Sequence, residues 1–251
     1  MSRRVPEGPP PPPAVLRVRI RYAKRGRLRF TSHRDFARAF ERALRRAEVP
    51  MAYSAGFTPH PKISYVGASP TGAASEAEYL EIGLIRVVDV EQLRADLDAV
   101  LPDGLDIVEA VPAGPGGLAE RMVASAWRIE LPGVPVAAAE SAVVSLLERA
   151  ELTVERMTKS GRRPVDVRAP IVRLAVSATA SDPSRAILDV VVRQVTPAVR
   201  PDDVVAALTA VAGLAPVAPP VAVRLAQGPL GARDEIGDPL AADRAAAASA
   251  S

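Results

Sequence analysis

Apolar and basic residues alternate through VLRVRIRYAK (15–24), a pattern that predicts a strand with one buried and one exposed face. We expect the short segment LRF (28–30) to extend this strand beyond a turn at Gly26. Ser32 then has the position of a helix N-cap, with Asp35 in the first turn. At about 100° per residue, the helix that follows has an apolar face for a sheet and an exposed arginine ladder. The apolar face comprises Phe36, Ala37, Phe40, Ala43, Leu44 and Ala47, and the arginine ladder is Arg34, Arg38, Arg42 and Arg45.

The same patterns predict the element order β-α-β-β-α-β in each half of the chain. In the first half, the remaining elements are strands KISYVGA (62–68) and YLEIGLI (79–85), a helix over 90–100 and strand LDIVEAV (105–111). In the second half, they are strand WRIEL (127–131), a helix over 136–149, LTVERM (152–157), strands within 165–176 and 186–193, a helix over 202–211 and strand VAVRLA (221–226). We therefore predict an α+β protein of two tandem ferredoxin-like halves with antiparallel sheets.

Composition places the boundaries between these segments. A proline-rich, disordered tail is expected over 1–13 and a second disordered tail over 227–251, since neither has the apolar spacing of a core. The glycine-rich stretch 114–123 is expected to be a linker. It separates a basic half, 14–113, from a second half, 124–226.

The composition also excludes several classes of chemistry. The chain has no cysteine, which excludes disulfides, thiol nucleophiles and cysteine-bound zinc or iron–sulfur centres. It has only two histidines, His33 and His60, so we expect no metal site and no cofactor. No apolar run reaches the roughly 20 residues of a membrane span, and prolines occupy the N-terminus. A cytoplasmic protein without a membrane partner is expected.

Positive charge is concentrated in one part of the chain. Residues 14–65 contain thirteen basic and three acidic residues, a net charge of +10, whereas the rest of the chain carries −7. All the tyrosines and phenylalanines lie between residues 22 and 79. Basic and aromatic side chains together can bind phosphates and stack on bases, which favours RNA as a partner. The alternative is that the arginines only solvate an exposed face.

The stretch YSAGFTPHPKIS (53–64) is the most distinctive motif. Its prolines fix φ and restrict the residues before them, while Gly56 can adopt a positive φ. A histidine within this rigid segment has its backbone held and its ring presented, as a binding site requires. The alternative is a stiff loop leading into a strand, with His60 bonded to a carbonyl.

The residues expected to bind RNA follow from these features. The arginine ladder and Lys62 would hold phosphates, and Tyr53, Phe57 and His60 would contact a base or a reactive group of a partner. Arg168, in the basic turn KSGRRPVDVR (159–168), would extend this surface. For Arg168 the alternative is a salt bridge with Asp166, which shares its face of a strand.

Several blocks of the sequence resemble a known family. They are Phe30, Ser32 to Asp35, Arg42 to Arg46, Tyr53 to Ser64, Gly72, Ser75, Glu78 and Tyr79, and less distinctively Arg162 to Arg168. Over residues 15 to about 225, the chain resembles the radical-SAM-linked proteins of unknown function. These occur fused behind a radical-SAM domain or encoded separately, often near a ribonuclease of the E/G type. Without the three cysteines that hold a radical-SAM cluster, this chain would be the stand-alone form.

Three functions remain open from the sequence. The first is an RNA-binding accessory or substrate-presenting factor in RNA modification or processing. The second is a metal-independent RNA endonuclease with His33 and His60 as acid and base. The third is a protein module that docks a radical-SAM enzyme. An E/G-type ribonuclease is a further partner that the resemblance implies.

Overall fold

The computed structural model describes residues 11–159, 161–179 and 182–250. Most of the tail expected over 1–13 lies outside the described residues. The described part is a mixed α+β fold with five α-helices and ten strands, which pair mostly antiparallel. No helix in these ranges is both long and apolar enough to cross a bilayer. The residues form two compact units: unit 1 has 11–71, 77–120 and 239–250, and unit 2 has 72–76, 121–159, 161–179 and 182–238.

Unit 1 contains the first two helices of the chain and the four strands that precede, separate and follow them. The elements are β1 (Leu16–Lys24), α1 (His33–Arg46), β2 (Ile63–Val66), β3 (Ala74–Leu84), α2 (Val90–Val100) and β4 (Leu105–Pro112). The strand order is β4-β1-β3-β2, with β1 antiparallel to β4 and β2 antiparallel to β3. The first residues of β3, Ala74 to Glu76, belong to unit 2.

The core of unit 1 lies between this sheet and the two helices. Alternation along β1 buries Val18, Ile20 and Tyr22 on the helix side. The ring of Tyr22 stacks on that of Phe36 from α1, with centroids 4.2 Å apart. The arginines of β1, at the alternate positions 17, 19 and 21, therefore lie on the opposite face of the sheet.

The segment expected to prolong the first strand is helical instead. Gly26–Phe30 form a short 3₁₀ helix, so the prediction of a strand over 28–30 is wrong. Gly26 has a positive φ of 54°, which turns the chain away from the sheet. The backbone N–H of Leu28 then donates to the carbonyl of Arg25, the i to i+3 bond of a tight turn.

The segment from residue 227 onwards also differs from the expected disordered tail. Residues 241–250 form helix α5 (Ala241–Ala250), which packs against β4 in unit 1. Leu240 and Asp243 are both fully buried. This alanine-rich segment lacks the apolar periodicity of an amphipathic helix, so its order depends on contacts with residues distant in sequence rather than on a pattern of its own.

Unit 2 has a similar order of elements with one additional hairpin. It contains β5 (Ala124–Pro132), α3 (Val136–Leu147), β6 (Thr153–Thr158), β7 (Gly161–Asp166), β8 (Ile171–Thr179), β9 (Asp182–Arg193), α4 (Pro201–Ala212) and β10 (Val221–Gly228). The strand order is β10-β5-β9-β8, and β6 and β7 pair separately. Ala74 and Ser75 pair in parallel with β10.

Candidate functional site

Helix α1 begins at its expected N-cap. The hydroxyl of Ser32 accepts a hydrogen bond from the backbone N–H of Asp35 at 3.2 Å and donates to the Asp35 carboxylate at 2.6 Å. The capped N-terminus fixes where the helix starts. It thereby fixes which side chains face the sheet and which face solvent.

The two faces of α1 separate as the sequence predicts. Phe36, Phe40, Ala43 and Leu44 are buried in the core of unit 1. All four residues of the arginine ladder are exposed, as is Arg46. None of these five guanidinium groups forms a hydrogen bond or an ion pair with another described residue. The outer face of α1 therefore carries positive charge that the described chain does not neutralise.

Residues 52–62 form a hydrogen-bonded loop against the end of β3. The N–H of Ser54 donates to the carbonyl of His60 at 2.8 Å, and the N–H of His60 donates back to the Ser54 hydroxyl at 3.0 Å. The N–H of Lys62 donates to Ala52, while the N–H of Gly83 donates to Lys62. These bonds hold the backbone on both sides of His60, whose side chain is exposed.

Two aromatic residues of this loop are exposed. The Tyr53 and Phe57 side chains are 39% and 68% exposed. Gly56 has a φ of 136°, the positive value that the motif predicts. Both rings are therefore accessible to a partner, Phe57 near the tip of the loop and Tyr53 at its fixed base.

His60 and Lys62 line a cleft on the face of the unit 1 sheet opposite α1 and α2. Its cavity of about 570 Å³ overlaps a second of about 660 Å³. The two share Ala14, Arg17, Ser64 and Glu81 among their lining residues.

His33 and the arginine ladder lie on the other side of the sheet. Ile63 and Tyr65 of β2 pack against the core beneath the helices, whereas Lys62 and Ser64 alternate to the opposite face. The His33 ring contacts the Tyr65 ring edge-on, with centroids 4.8 Å apart. The structure therefore brings His60 together with Lys62, and separates both from His33 and from the ladder.

Arg168 is engaged within unit 2. Its guanidinium is half-buried and donates to the carbonyl of Leu147 at 3.3 Å. The Asp166 carboxylate accepts from the backbone N–H of Arg168 at 3.0 Å, in place of the expected ion pair with its side chain. Arg168 therefore ties β7 to the end of α3.

A protein-family model described as "Uncharacterized protein conserved in bacteria (DUF2344)" matches residues 17–201. The chain belongs to this family. The match covers α1, the 52–62 loop and all of β2 and β3. A search of curated proteins finds no match. The family description names neither a reaction nor a radical-SAM enzyme.

The sequence does not single out Arg17 and Glu81, which line the cleft in this family member. The alternation of β1 places Arg17, Arg19 and Arg21 on one face of the strand. The sequence therefore contained a signal for a basic sheet face. Glu81 carries no such signal. It faces the cleft because β3 pairs with β2 in the register that places it opposite Ser64.

The described residues contain no group of three or more histidine, aspartate or glutamate side chains placed to hold a metal ion. The chemistry that the cleft and the ladder offer is that of cations and hydrogen-bond donors.

Proposed function

We propose that unit 1 binds RNA through the arginine ladder, and that the protein acts as an accessory or substrate-presenting factor in RNA modification or processing. One observation carries this proposal: four arginines on one face of α1 are exposed and have no ion-pair partner among the described residues. Arginine binds phosphate through two parallel hydrogen bonds, a geometry that suits a nucleic-acid backbone.

The ladder is suited to an extended ligand. Arg34 and Arg45 are eleven residues apart on the helix, which at 1.5 Å per residue separates them by about 16 Å along the axis. The opposite face of α1 is anchored in the core by Phe36 and Phe40. A rigid row of cations of this length binds several phosphates at once without a large loss of backbone entropy.

The proposed architecture is a pair of ferredoxin-like units. The strand orders β4-β1-β3-β2 and β10-β5-β9-β8 support it, since in each of these four-stranded sets, with the β6–β7 hairpin left aside, the first strand in the chain lies between the last and the third. In unit 1, α5 covers the sheet face opposite α1, with Arg244 paired to Glu109 of β4 and Asp243 paired to Arg19 of β1. Because α5 occupies part of the opposite face of the sheet, we assign RNA to the side of unit 1 that carries α1.

The resemblance to radical-SAM-linked proteins adds a partner to this proposal. The chain has no cysteine, so radical chemistry on the RNA would belong to a separate radical-SAM enzyme. An E/G-type ribonuclease is the other partner of this kind. Endonuclease activity through a His33–His60 pair receives no support from the geometry, because His33 packs on Tyr65 while His60 lines the cleft on the other face.

The test is RNA binding at several salt concentrations, measured by filter retention of a labelled single-stranded RNA. We expect the wild-type chain to bind, with an affinity that falls steeply as salt rises. A variant with Arg34, Arg38, Arg42 and Arg45 all changed to Gln should lose most of this binding.

A matched control removes the same charge elsewhere. Arg149, Arg163, Arg173 and Arg193 are four exposed arginines of unit 2 that make no ion pair with described residues. Changing all four to Gln should leave most of the binding intact. The proposal is wrong if the two quadruple variants bind RNA equally, or if the wild-type chain retains no RNA even at low salt. Binding to a radical-SAM enzyme without RNA would instead support the docking module.

A further inference from the structure

The cleft around His60 and Lys62 has the features of a binding site, and no arginine of the ladder lines it. We propose that it is a second, separate anion site, which binds the phosphate group of a small molecule. It lies on the face of the unit 1 sheet opposite α1, so its ligand would not contact the ladder.

The charges that surround the cleft favour an anion. Arg17 and Lys62 line the two overlapping cavities as exposed cations, whereas the buried Arg19 is paired with Asp243 and with Glu81, the one carboxylate in the lining. That carboxylate is occupied, because the Nε of Arg19 donates to it at 2.9 Å. Arg17 lies 3.8 Å from its other oxygen, and the Arg17 side chain is 70% exposed. Such a long, exposed pair is weak, so Arg17 can turn to a ligand at little cost.

Lys62 and His60 supply hydrogen-bond donors without competing partners. Neither side chain forms a hydrogen bond or an ion pair with another described residue. Ser54 and Ser64 add hydroxyl groups to the lining. An ammonium, a guanidinium, an imidazole and hydroxyl groups are the donors that bind phosphate oxygens in proteins.

The backbone around these donors is fixed in advance. The reciprocal bonds between Ser54 and His60, and those of Lys62 to Ala52 and Gly83, hold both donor residues in place. Gly83 lies in the lining of the cleft. A Cβ at this position would approach the Cβ of Ala14 to 3.1 Å and that of Lys62 to 3.5 Å, so any larger residue would crowd this part of the lining. Binding then requires ordering of the side chains but little ordering of the backbone.

The lining also indicates which part of a ligand is recognised. Apart from the imidazole of His60, no aromatic side chain among the described residues lines either cavity. The cleft therefore lacks a platform on which a base could stack. Recognition rests on the phosphate rather than on a nucleobase.

The chain's two histidines provide a direct test by NMR. We would titrate ¹⁵N-labelled, full-length protein with inorganic phosphate at constant ionic strength, and follow both imidazole rings. We expect the His60 signals to shift in a saturable manner. The His33 signals should remain unchanged, because that ring packs against Tyr65 on the other side of the sheet.

Variants connect the shift to the cleft. Lys62→Met and Arg17→Gln should each weaken phosphate binding at least several-fold, while Lys159→Met, an exposed lysine in unit 2, should leave it unchanged. The Gln variant of the arginine ladder should keep the His60 response. This last variant separates the two proposals, because RNA binding by the ladder and phosphate binding by the cleft are then measured independently.

Adenosine monophosphate and chloride are titrated in the same way for comparison with inorganic phosphate. If adenosine monophosphate saturates at lower concentration than inorganic phosphate, the ligand is a phosphate ester, and equal affinities identify free phosphate. Three results would overturn the proposal: no saturation by about 10 mM phosphate, equal shifts of both histidines, or the same response to chloride as to phosphate.

Discussion

The guanidinium of Arg19 in β1 lies 2.6 Å from the carboxylate of Asp243 in α5, and both side chains are buried, at 2% and 0% exposure. The same Asp243 oxygen accepts from the backbone N–H of Gly114 at 2.8 Å. Arg19 also donates to Glu81 and to the carbonyl of Gly116. One buried arginine thus joins β1, β3, the loop after β4 and the C-terminal helix within unit 1.

The ionisation of Arg19 agrees with this arrangement. Burial by itself lowers the pKa of Arg19, but the hydrogen bonds and charges of Asp243 and Glu81 outweigh it, so the pKa is raised above its ordinary value. The arginine therefore stays charged wherever the protein is folded. Loss of Asp243, its fully buried partner, would leave that charge with Glu81 as its one remaining carboxylate among the described residues.

Asp243→Ala should destabilise unit 1 by about 3–5 kcal/mol, the usual cost of removing one partner of a buried ion pair. The free energy of unfolding, measured by urea denaturation, tests this. Amide hydrogen exchange of α5 should rise together with it, because Asp243 ties this helix to β1. Asp103→Ala, at an exposed aspartate, is the control and should change stability by less than about 0.5 kcal/mol. Equal stability of the two variants would contradict the anchoring role.

Tyr65→Phe should stabilise the protein. The phenolic oxygen of Tyr65 is buried and has no hydrogen-bond partner in the described chain. Such a group costs about 1–3 kcal/mol in lost solvation, so its removal should raise the free energy of unfolding by about 1 kcal/mol or more. Tyr53→Phe, at an exposed tyrosine, should have little effect. A Tyr65→Phe variant less stable than wild type would show that the hydroxyl has a partner.

The same tyrosine predicts a difference at alkaline pH. Burial, with a smaller contribution from the charge of Glu41, raises the pKa of Tyr65 above its ordinary value. Because the folded pKa is the higher one, the stability linked to this group is fully present below about pH 10, the unfolded pKa, and is lost as pH rises towards the folded value. Above pH 10, the stability of wild type should fall more steeply than that of Tyr65→Phe. Parallel pH profiles would contradict this.

Arg156→Ala should loosen the β6–β7 hairpin of unit 2. The Arg156 Nε donates to Asp203 at 2.9 Å, and its Nη2 donates to Asp203 and to the carbonyl of Ala198, so the hairpin is tied to the start of α4. Faster amide exchange over residues 153–166 is the expected result.

A second pair in the same hairpin provides the control. Arg162 and Glu155 are 70% and 60% exposed, so their ion pair contributes at most about 1 kcal/mol. Arg162→Ala should leave the exchange rates nearly unchanged. Equal exchange in the two variants would show that Arg156 does not hold the hairpin.

Single substitutions within the arginine ladder should change the salt dependence of RNA binding in steps. For a single-stranded RNA, each lost phosphate contact lowers the slope of log affinity against log salt by about 0.7. We therefore expect Arg38→Gln to reduce the slope by one such step, as measured by filter binding. Arg173→Gln, in unit 2, should leave the slope unchanged. Full wild-type slope in Arg38→Gln would exclude a phosphate contact at this position.

Local pattern accounts for most of the secondary structure. The helix over Val90–Val100 was predictable to the residue, and α1 was predictable from its N-cap and its two faces. The 3₁₀ helix at Gly26–Phe30 was not predictable. The three residues 28–30 are too few to show a period, and the φ of Gly26 decided the direction of the chain. Likewise, no periodic signal marked α5.

The sequence by itself determined which residues are charged, which helix face is basic and which segment around His60 is rigid, because each depends on neighbours within a few residues. Only the tertiary structure decided that His60 and Lys62 share a cleft with Arg17 and Glu81, on the side of the sheet away from His33 and the ladder. Strand register sets which distant side chains meet, and a shift of one residue would exchange the two faces. For the same reason, Asp243 becomes the buried partner of Arg19 only when α5 packs on the sheet.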